Sequence, residues 1–221
     1  METGKITQKI NYDALTESAL AAAGSVLLHC CCAPCATSVT ERVIKTIKPV
    51  LYYYNPNIYP EAEYLKRLSE LEKLARHFSL ELISEPYDEN EFLGAIAGFE
   101  NEKEGGARCP VCFRVRLEKT AARAKREGLA AFCTPLTVSP HKNAAIVNAI
   151  GEEVAAARNI LWIPSDFKKR DGENRSIELS EKYGLYRQLY CGCEFSLHRR
   201  EETAGRMVKN SEDSNEENSN T

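Results

Sequence analysis

The chain has 221 residues, 28% of them charged, a formal net charge of -3 and nine cysteines. That length suits one domain with a sizeable core, so the cysteines are not needed as staples of a small secreted scaffold. No apolar run approaches a bilayer span and the N-terminus lacks the charged-then-apolar pattern of an export signal, so no membrane partner and a cytoplasmic location are expected.

Residues 11–23 read as a short helix closed by Gly24, and 25–29 as a first buried strand. A helix follows over 36–47, a strand over 50–54, and a loop over 55–60 between Pro56 and Pro60. Tyr64, Leu65, Leu68, Leu71, Leu74, Ala75 and Phe78 recur at helical spacing and predict a helix over 61–78. Residues 80–84 read as a strand, 88–98 as a helix and 100–107 as a polar loop. Residues 109–127 then form a helix ending at Gly128. A strand over 130–134, a helix over 141–157 and a strand over 160–163 complete the alternation. From 164 to 200 the pattern becomes irregular and basic, with a helix near 173–184.

Alternating strands and helices predict an α/β domain over residues 1–200, with a doubly wound, mostly parallel sheet of Rossmann-like or HUP-like type. Residues 201–221 are expected to be an acidic, disordered tail. Ser211 to Thr221 carries Glu212, Asp213, Glu216 and Glu217 with no apolar residue, and without those acids the net charge is near +1. No glycine-rich dinucleotide fingerprint or P-loop is present; the turn after the first strand holds cysteines where a nucleotide fold would hold glycines. Functional groups of such sheets gather beyond the strands' carboxyl ends, so the polar loops after strands one, two, four and five should face one site.

Eight cysteines fall into three groups: Cys30, Cys31, Cys32 and Cys35; Cys109 and Cys112; and Cys191 and Cys193; Cys133, the ninth, stands apart. A four-iron cluster and a structural zinc each need four ligands, and both take thiolates. Cys109-Pro-Val-Cys112 is a good half-site, because two intervening residues let both sulfurs reach one centre. Its complement must come from among Cys30, Cys31, Cys32 and Cys35, and Cys31, Cys32, Cys109 and Cys112 are the set favoured for metal over plain packing. Cys30 suits a buried strand end, and Cys133 suits the core. A bridge between Cys191 and Cys193 would be strained unless the chain bends, which Gly192 permits. Such a bridge is labile and its dithiol can give up two electrons. A further metal-ligand pair is the other reading of these two residues.

Six motifs occur together: His29-Cys-Cys-Cys-Ala-Pro-Cys35; Tyr54-Asn-Pro-Asn-Ile-Tyr-Pro60 with Glu63, Tyr64 and Arg67; Arg108-Cys-Pro-Val-Cys112 with Arg116 and Leu117; Ser139-Pro-His-Lys-Asn143; Asp166-Phe-Lys-Lys169; and Tyr186-Arg-Gln-Leu-Tyr-Cys-Gly-Cys193. In this order, over about residues 25–198, they resemble the QueH family of epoxyqueuosine reductases. The resemblance implies removal of the epoxide oxygen of epoxyqueuosine at the wobble position of tRNA. It implies a [4Fe-4S] cluster on Cys31, Cys32, Cys109 and Cys112, an adjacent mononuclear iron, no cobalamin, and a redox-active disulfide of Cys191 with Cys193. The resemblance also implies Asp in some relatives at the position of Cys35, so Cys35 becomes a candidate ligand of the second iron. The electron donor is unidentified.

The substrate would be a base in an RNA loop, read by phosphate contacts and stacking. Lys168, Lys169, Arg170, Arg175 and Arg187, interleaved with Tyr183, Tyr186 and Tyr190, suggest the RNA face; a solvated basic surface is the plain alternative. Asn55, Asn57, Arg108, Lys142 and Asn143 belong to the matched motifs and are expected on the substrate side. Asn55 and Asn57 are equally suited to building their turn. His141 is a candidate proton donor or a structural residue at a helix start. Asp166 can hold a proton, bind metal or pair with a lysine, and His29 can tune the cluster by hydrogen bonding or close the strand's end. Competing function classes are an RNA-binding protein with structural zinc, a cluster-dependent tRNA thiolase, and a thiol–disulfide oxidoreductase built on Cys32-Ala-Pro-Cys35. The thiolase lacks its ATP loop here, and the last leaves Cys109 and Cys112 unexplained.

Overall fold

The computed structural model describes residues 10–200. Its centre is a sheet of five strands, all parallel: β1 (Val26–His29), β2 (Val50–Tyr53), β3 (Leu82–Ser84), β4 (Ala131–Cys133) and β5 (Leu161–Trp162). The strand order is β3-β2-β1-β4-β5. The winding therefore reverses between β1 and β4, and a crevice opens at their carboxyl ends. Parallel pairing demands crossovers, which are supplied by helices α2 (Ala33–Val43), α3 (Glu61–Phe78), α4 (Asn90–Ala95), α5 (Arg108–Arg126) and α6 (Ala144–Arg158), while α1 (Tyr12–Ala23) precedes β1 and α7 (Gly172–Lys182) follows β5.

Side chains alternate across the strands and build two cores. Leu28, Leu51, Tyr53 and Cys133 pack with Leu20 of α1, Val39 and Val43 of α2, and Leu71 and Leu74 of α3. Leu27, Tyr52 and Phe132 pack with Leu117 and Ala121 of α5 and Val147 and Ile150 of α6. A doubly wound α/β sheet with helices on both faces is thus the observed architecture. β1 is buried along its whole length, as a strand covered on both faces must be.

Several boundaries differ from expectation for local reasons. α2 begins at Ala33, with Cys32 as its extended N-cap residue and Pro34 in its first turn, where proline costs nothing. α4 is a short helix, and α6 starts at Ala144 because the Asn143 side chain accepts from the amides of Ala145 and Ile146. The segment after β5 is less irregular than expected, since residues 194–200 are helical as well as α7. The expected acidic tail lies outside the described residues. Among those described, no helix is long and apolar enough to cross a membrane.

Candidate functional site

Three sulfurs meet at the end of β1. Those of Cys31, Cys32 and Cys35 all lie within 4.8 Å of one another, arranged about the first turn of α2. The helix N-terminus favours anions there, including thiolates. The Cys31 and Cys32 sulfurs are 3.8 Å apart. Hydrogen bonds from the Cys32 and Cys35 thiols hold Cys31 well below the usual thiol range, against the effect of burial; Lys142 and His29 add to the lowering. Cys32 and Cys35 keep their own protons: Cys32 is pushed up to about 12 and Cys35 is raised, each first by the hydrogen bond that stabilises the Cys31 thiolate. The trio therefore carries one negative charge readily. A bound metal ion would displace the remaining protons. Cys30 is directed to the other core and its thiol donates to the Leu28 carbonyl at 3.3 Å, away from this group.

The second cysteine group sits on the first turn of α5. Cys109 packs against the same core as Cys31 and Cys32. The Gly105 amide donates to its sulfur at 3.2 Å. Cys112 is buried in a small apolar cluster with Phe92, Ile96 and Cys193, so α5 and the Cys191–Cys193 segment touch. Burial pushes Cys112 up to about 12 and raises Cys109, with Arg116 opposing the shift at Cys112 and the Gly105 amide opposing it at Cys109. Cys109 and Cys112 fall outside the three-sulfur group, whose third member is Cys35. All nine cysteines are free thiols, Cys191 and Cys193 among them.

The Cys191 segment is fastened from below. Arg67 donates to the carbonyls of Tyr190 and Cys191 at 3.3 and 3.1 Å while its Nε holds Glu63 at 2.7 Å. The Tyr59 amide donates to the Gly192 carbonyl at 2.8 Å. Gln188 reaches across from the same segment and its Nε2 donates to the Cys32 sulfur at 3.0 Å. A cavity of about 590 Å³ lies above, with Cys31, Cys35, His141, Lys142, Arg187 and Cys191 in its wall. Burial alone would lower Lys142, but the charges of Cys191, Cys31 and Cys35 together outweigh it and keep the ammonium above its ordinary value. His29 lies beneath, with Nδ1 3.0 Å from the Thr134 hydroxyl and Nε2 3.1 Å from the Tyr54 carbonyl. Burial, then the Arg116 charge, pulls it down to about 4, so it is neutral near pH 7.

Several residues expected to meet substrate are occupied otherwise. Arg108 is buried and donates to the carbonyls of Phe99, Glu100 and Glu102, with the Phe195 ring 4.2 Å from its guanidinium carbon; it fastens the loop before α5. Asn55 is fully buried and ties β2 to the cysteine turn through the Cys30 carbonyl at 2.9 Å. Asn57 is buried beneath Gly192. Asn143 caps α6 from an exposed position. The Tyr186 hydroxyl donates to Glu63 while Lys66 covers its ring at 3.5 Å, and Tyr183 packs on His77. Asp166 and Lys168 pair at 2.5 Å, whereas Lys169 is exposed. Sequence reasoning gave no role to Gln188 or Arg116. The spacing of Cys109, Cys112 and Arg116 is the signal that was available: steps of three and four place them on one helix face.

The donor set suits thiolate-bound metal: three sulfurs are already gathered, a further pair lies on the adjoining helix, and buried polar atoms of Arg116 and Gln188 beside them have no partner. Residues 26–199 match the family model described as "Epoxyqueuosine reductase QueH". Curated relatives of that name include one from Streptococcus pyogenes serotype M1, 38% identical over 86% of this chain and 79% of the relative. Those from Staphylococcus epidermidis (38%, covering 86% and 85%) and Thermotoga maritima (35%, covering 81% and 93%) are similar. Among solved structures, an NH3-dependent NAD synthetase from Campylobacter jejuni aligns with a TM-score of 0.37 and 11% identity over 79% of this chain and 86% of that one. With the family's profile spanning nearly all of the described fold, this chain belongs to the QueH epoxyqueuosine reductase family.

Proposed function

We propose that this protein reduces epoxyqueuosine to queuosine in tRNA, with iron held by cysteines and electrons restored by the Cys191/Cys193 dithiol. The observation that carries the reading is the shared cavity wall of Cys31, Cys35 and Cys191, beside the sulfurs of Cys32 and Cys112. On this reading a [4Fe-4S] cluster is held by Cys31, Cys32, Cys109 and Cys112, and Cys35 serves an adjacent iron. Thiolate-bound iron, when present, supplies one-electron transfer and a Lewis acid for the departing oxygen.

The chain's own residues do the rest. On this reading the wobble base leaves its stack to enter the cavity of about 590 Å³. Lys142 meets the oxygen side of the epoxide with a positive charge, and His141 lies on the same wall. Deoxygenation consumes two electrons and two protons and releases water. Oxidation of the Cys191/Cys193 dithiol to a disulfide supplies two of each, and an external donor then reopens the bridge. The family's name and the run of matched motifs support tRNA as the partner and a soluble, cytoplasmic setting for the reaction.

The test is anaerobic loading with iron and sulfide, followed by metal analysis and incubation with epoxyqueuosine-containing tRNA. The modified nucleoside should lose the mass of one oxygen. Cys193→Ser should lose repeated turnover, and a variant that cycles at the wild-type rate with a physiological reductant sinks the role given to the pair. A colourless protein holding only zinc would favour the RNA-binding alternative.

A further inference from the structure

Three arginines are among the largest fully buried side chains of the molecule: Arg67, Arg108 and Arg116. The first two are satisfied. Arg67 has a carboxylate and two carbonyls, and Arg108 has three carbonyls and an aromatic face. Arg116 is not. Among the described residues it pairs with no carboxylate; its Nε makes a bond of 3.1 Å to the Cys112 carbonyl and the Phe113 ring lies 5.6 Å from its guanidinium carbon. Its Nη2 is buried without a partner. A buried guanidinium left this way is a liability unless an anion completes it. Arg116 is only 2% exposed and does not line the cavity, so a substrate phosphate cannot be that anion. The groups beside it are the cysteines of the site: Arg116 stands one turn after Cys112 on the face of α5 that also carries Cys109, and Cys112 is buried against Cys193.

We infer that Arg116 is the fixed counter-cation of the thiol-held centre, a positioning residue whose charge favours that centre's reduced state. This rests on the proposed function insofar as it requires iron at the cysteines. An electron added to a thiolate-bound centre increases its negative charge, and a fixed positive charge in a low-dielectric setting stabilises that added charge. Lys142 shares the cavity wall with Cys31 and Cys191, where water partly screens it; Arg116 is the dry partner.

The experiment compares wild type, Arg116→Met and Arg116→Lys as full chains, with two readouts. Potentiometric titration of the iron-loaded proteins should give a lower midpoint potential for Arg116→Met, largely restored in Arg116→Lys. Thermal melting of the metal-free proteins should show Arg116→Met no less stable than wild type, since the unmatched charge is gone. Folded Arg116→Met that fails to retain iron which Arg116→Lys retains is the same result in stronger form. An unmoved midpoint, loss of iron from both variants, or a metal-free Arg116→Met that melts well below wild type overturns the inference and makes Arg116 a packing residue. Wild type that takes up no iron is a failure of the proposed function, and the inference falls with it.

Discussion

Gly192 separates the two cysteines of the last motif, and its backbone sits at φ 135°, a conformation L side chains rarely adopt. A Cβ there would stand 3.1 Å from Ile58, 3.2 Å from the Arg67 guanidinium and 3.3 Å from the Asn57 amide. Gly192→Ala is therefore expected to cost about 1–3 kcal/mol in backbone strain alone. It should also loosen the segment, so that iodoacetamide alkylates Cys191 and Cys193 faster than in wild type; equal melting and alkylation would refute this. Arg67 acts on the same segment from beneath, through two carbonyls and the Glu63 pair. Arg67→Met leaves Glu63 and both carbonyls short of a donor and is expected to lose about 3 kcal/mol, measured by urea unfolding. Arg67→Lys should recover little of it, because an ammonium cannot reproduce the planar fork.

At the scale of elements, the contact of α6 with β5 makes a sharp prediction. A Cβ on Gly151 would fall 2.3 Å from the Trp162 ring, so the helix backbone lies directly on the indole. The indole cannot yield easily, since its Nε1 donates to Asn148 at 3.1 Å and its ring packs 5.0 Å from Phe132. Gly151→Ala should cost about 1–3 kcal/mol through overpacking, lowering the melting temperature by several degrees without altering the cysteine site. The strands and the long helices were legible in the sequence because the apolar runs at 25–29 and 50–54 and the stripe from Tyr64 to Phe78, the exposed Leu65 apart, reflect burial, the force that forms them. Helix starts were less so. Pro34 and Asn143 look like loop residues in isolation, and only the observed turns make one a first-turn proline and the other a cap. The site divides in the same way. Cysteine chemistry is written in residue type, so the groups near 31, 110 and 192 stood out. Arg108, Asn55 and Asn57 appeared as ligand contacts because polar residues in a motif carry no label for inside or outside. Their burial comes from long-range packing of α3, α5 and the Cys191 segment. Arg116 and Gln188 went without a role for the same reason.

For the molecule as a whole, the net charge of -3 conceals an uneven distribution that bears on RNA binding. The carboxyl end of the sheet gathers the cavity, Lys142, Arg187 and the loop bearing Lys169, while α5 ends with Arg123, Lys125 and Arg126 near the opposite edge. If tRNA docks over the cavity, charge position should matter more than charge total. Lys168 already neutralises Asp166, so Lys169 and Arg187 are the better probes. Each phosphate contact removed from a single-stranded loop should flatten the dependence of log affinity on log salt by about 0.7. Lys169→Glu with Arg187→Glu is thus expected to weaken tRNA binding at low salt and to reduce that slope by roughly 1.4, if each cation meets one phosphate. A matched chain carrying Lys125→Glu and Arg126→Glu changes net charge by the same amount at the far edge and should bind like wild type. Equal losses in both pairs would mean that only the overall field matters, and no loss in the first pair would move the RNA to another face.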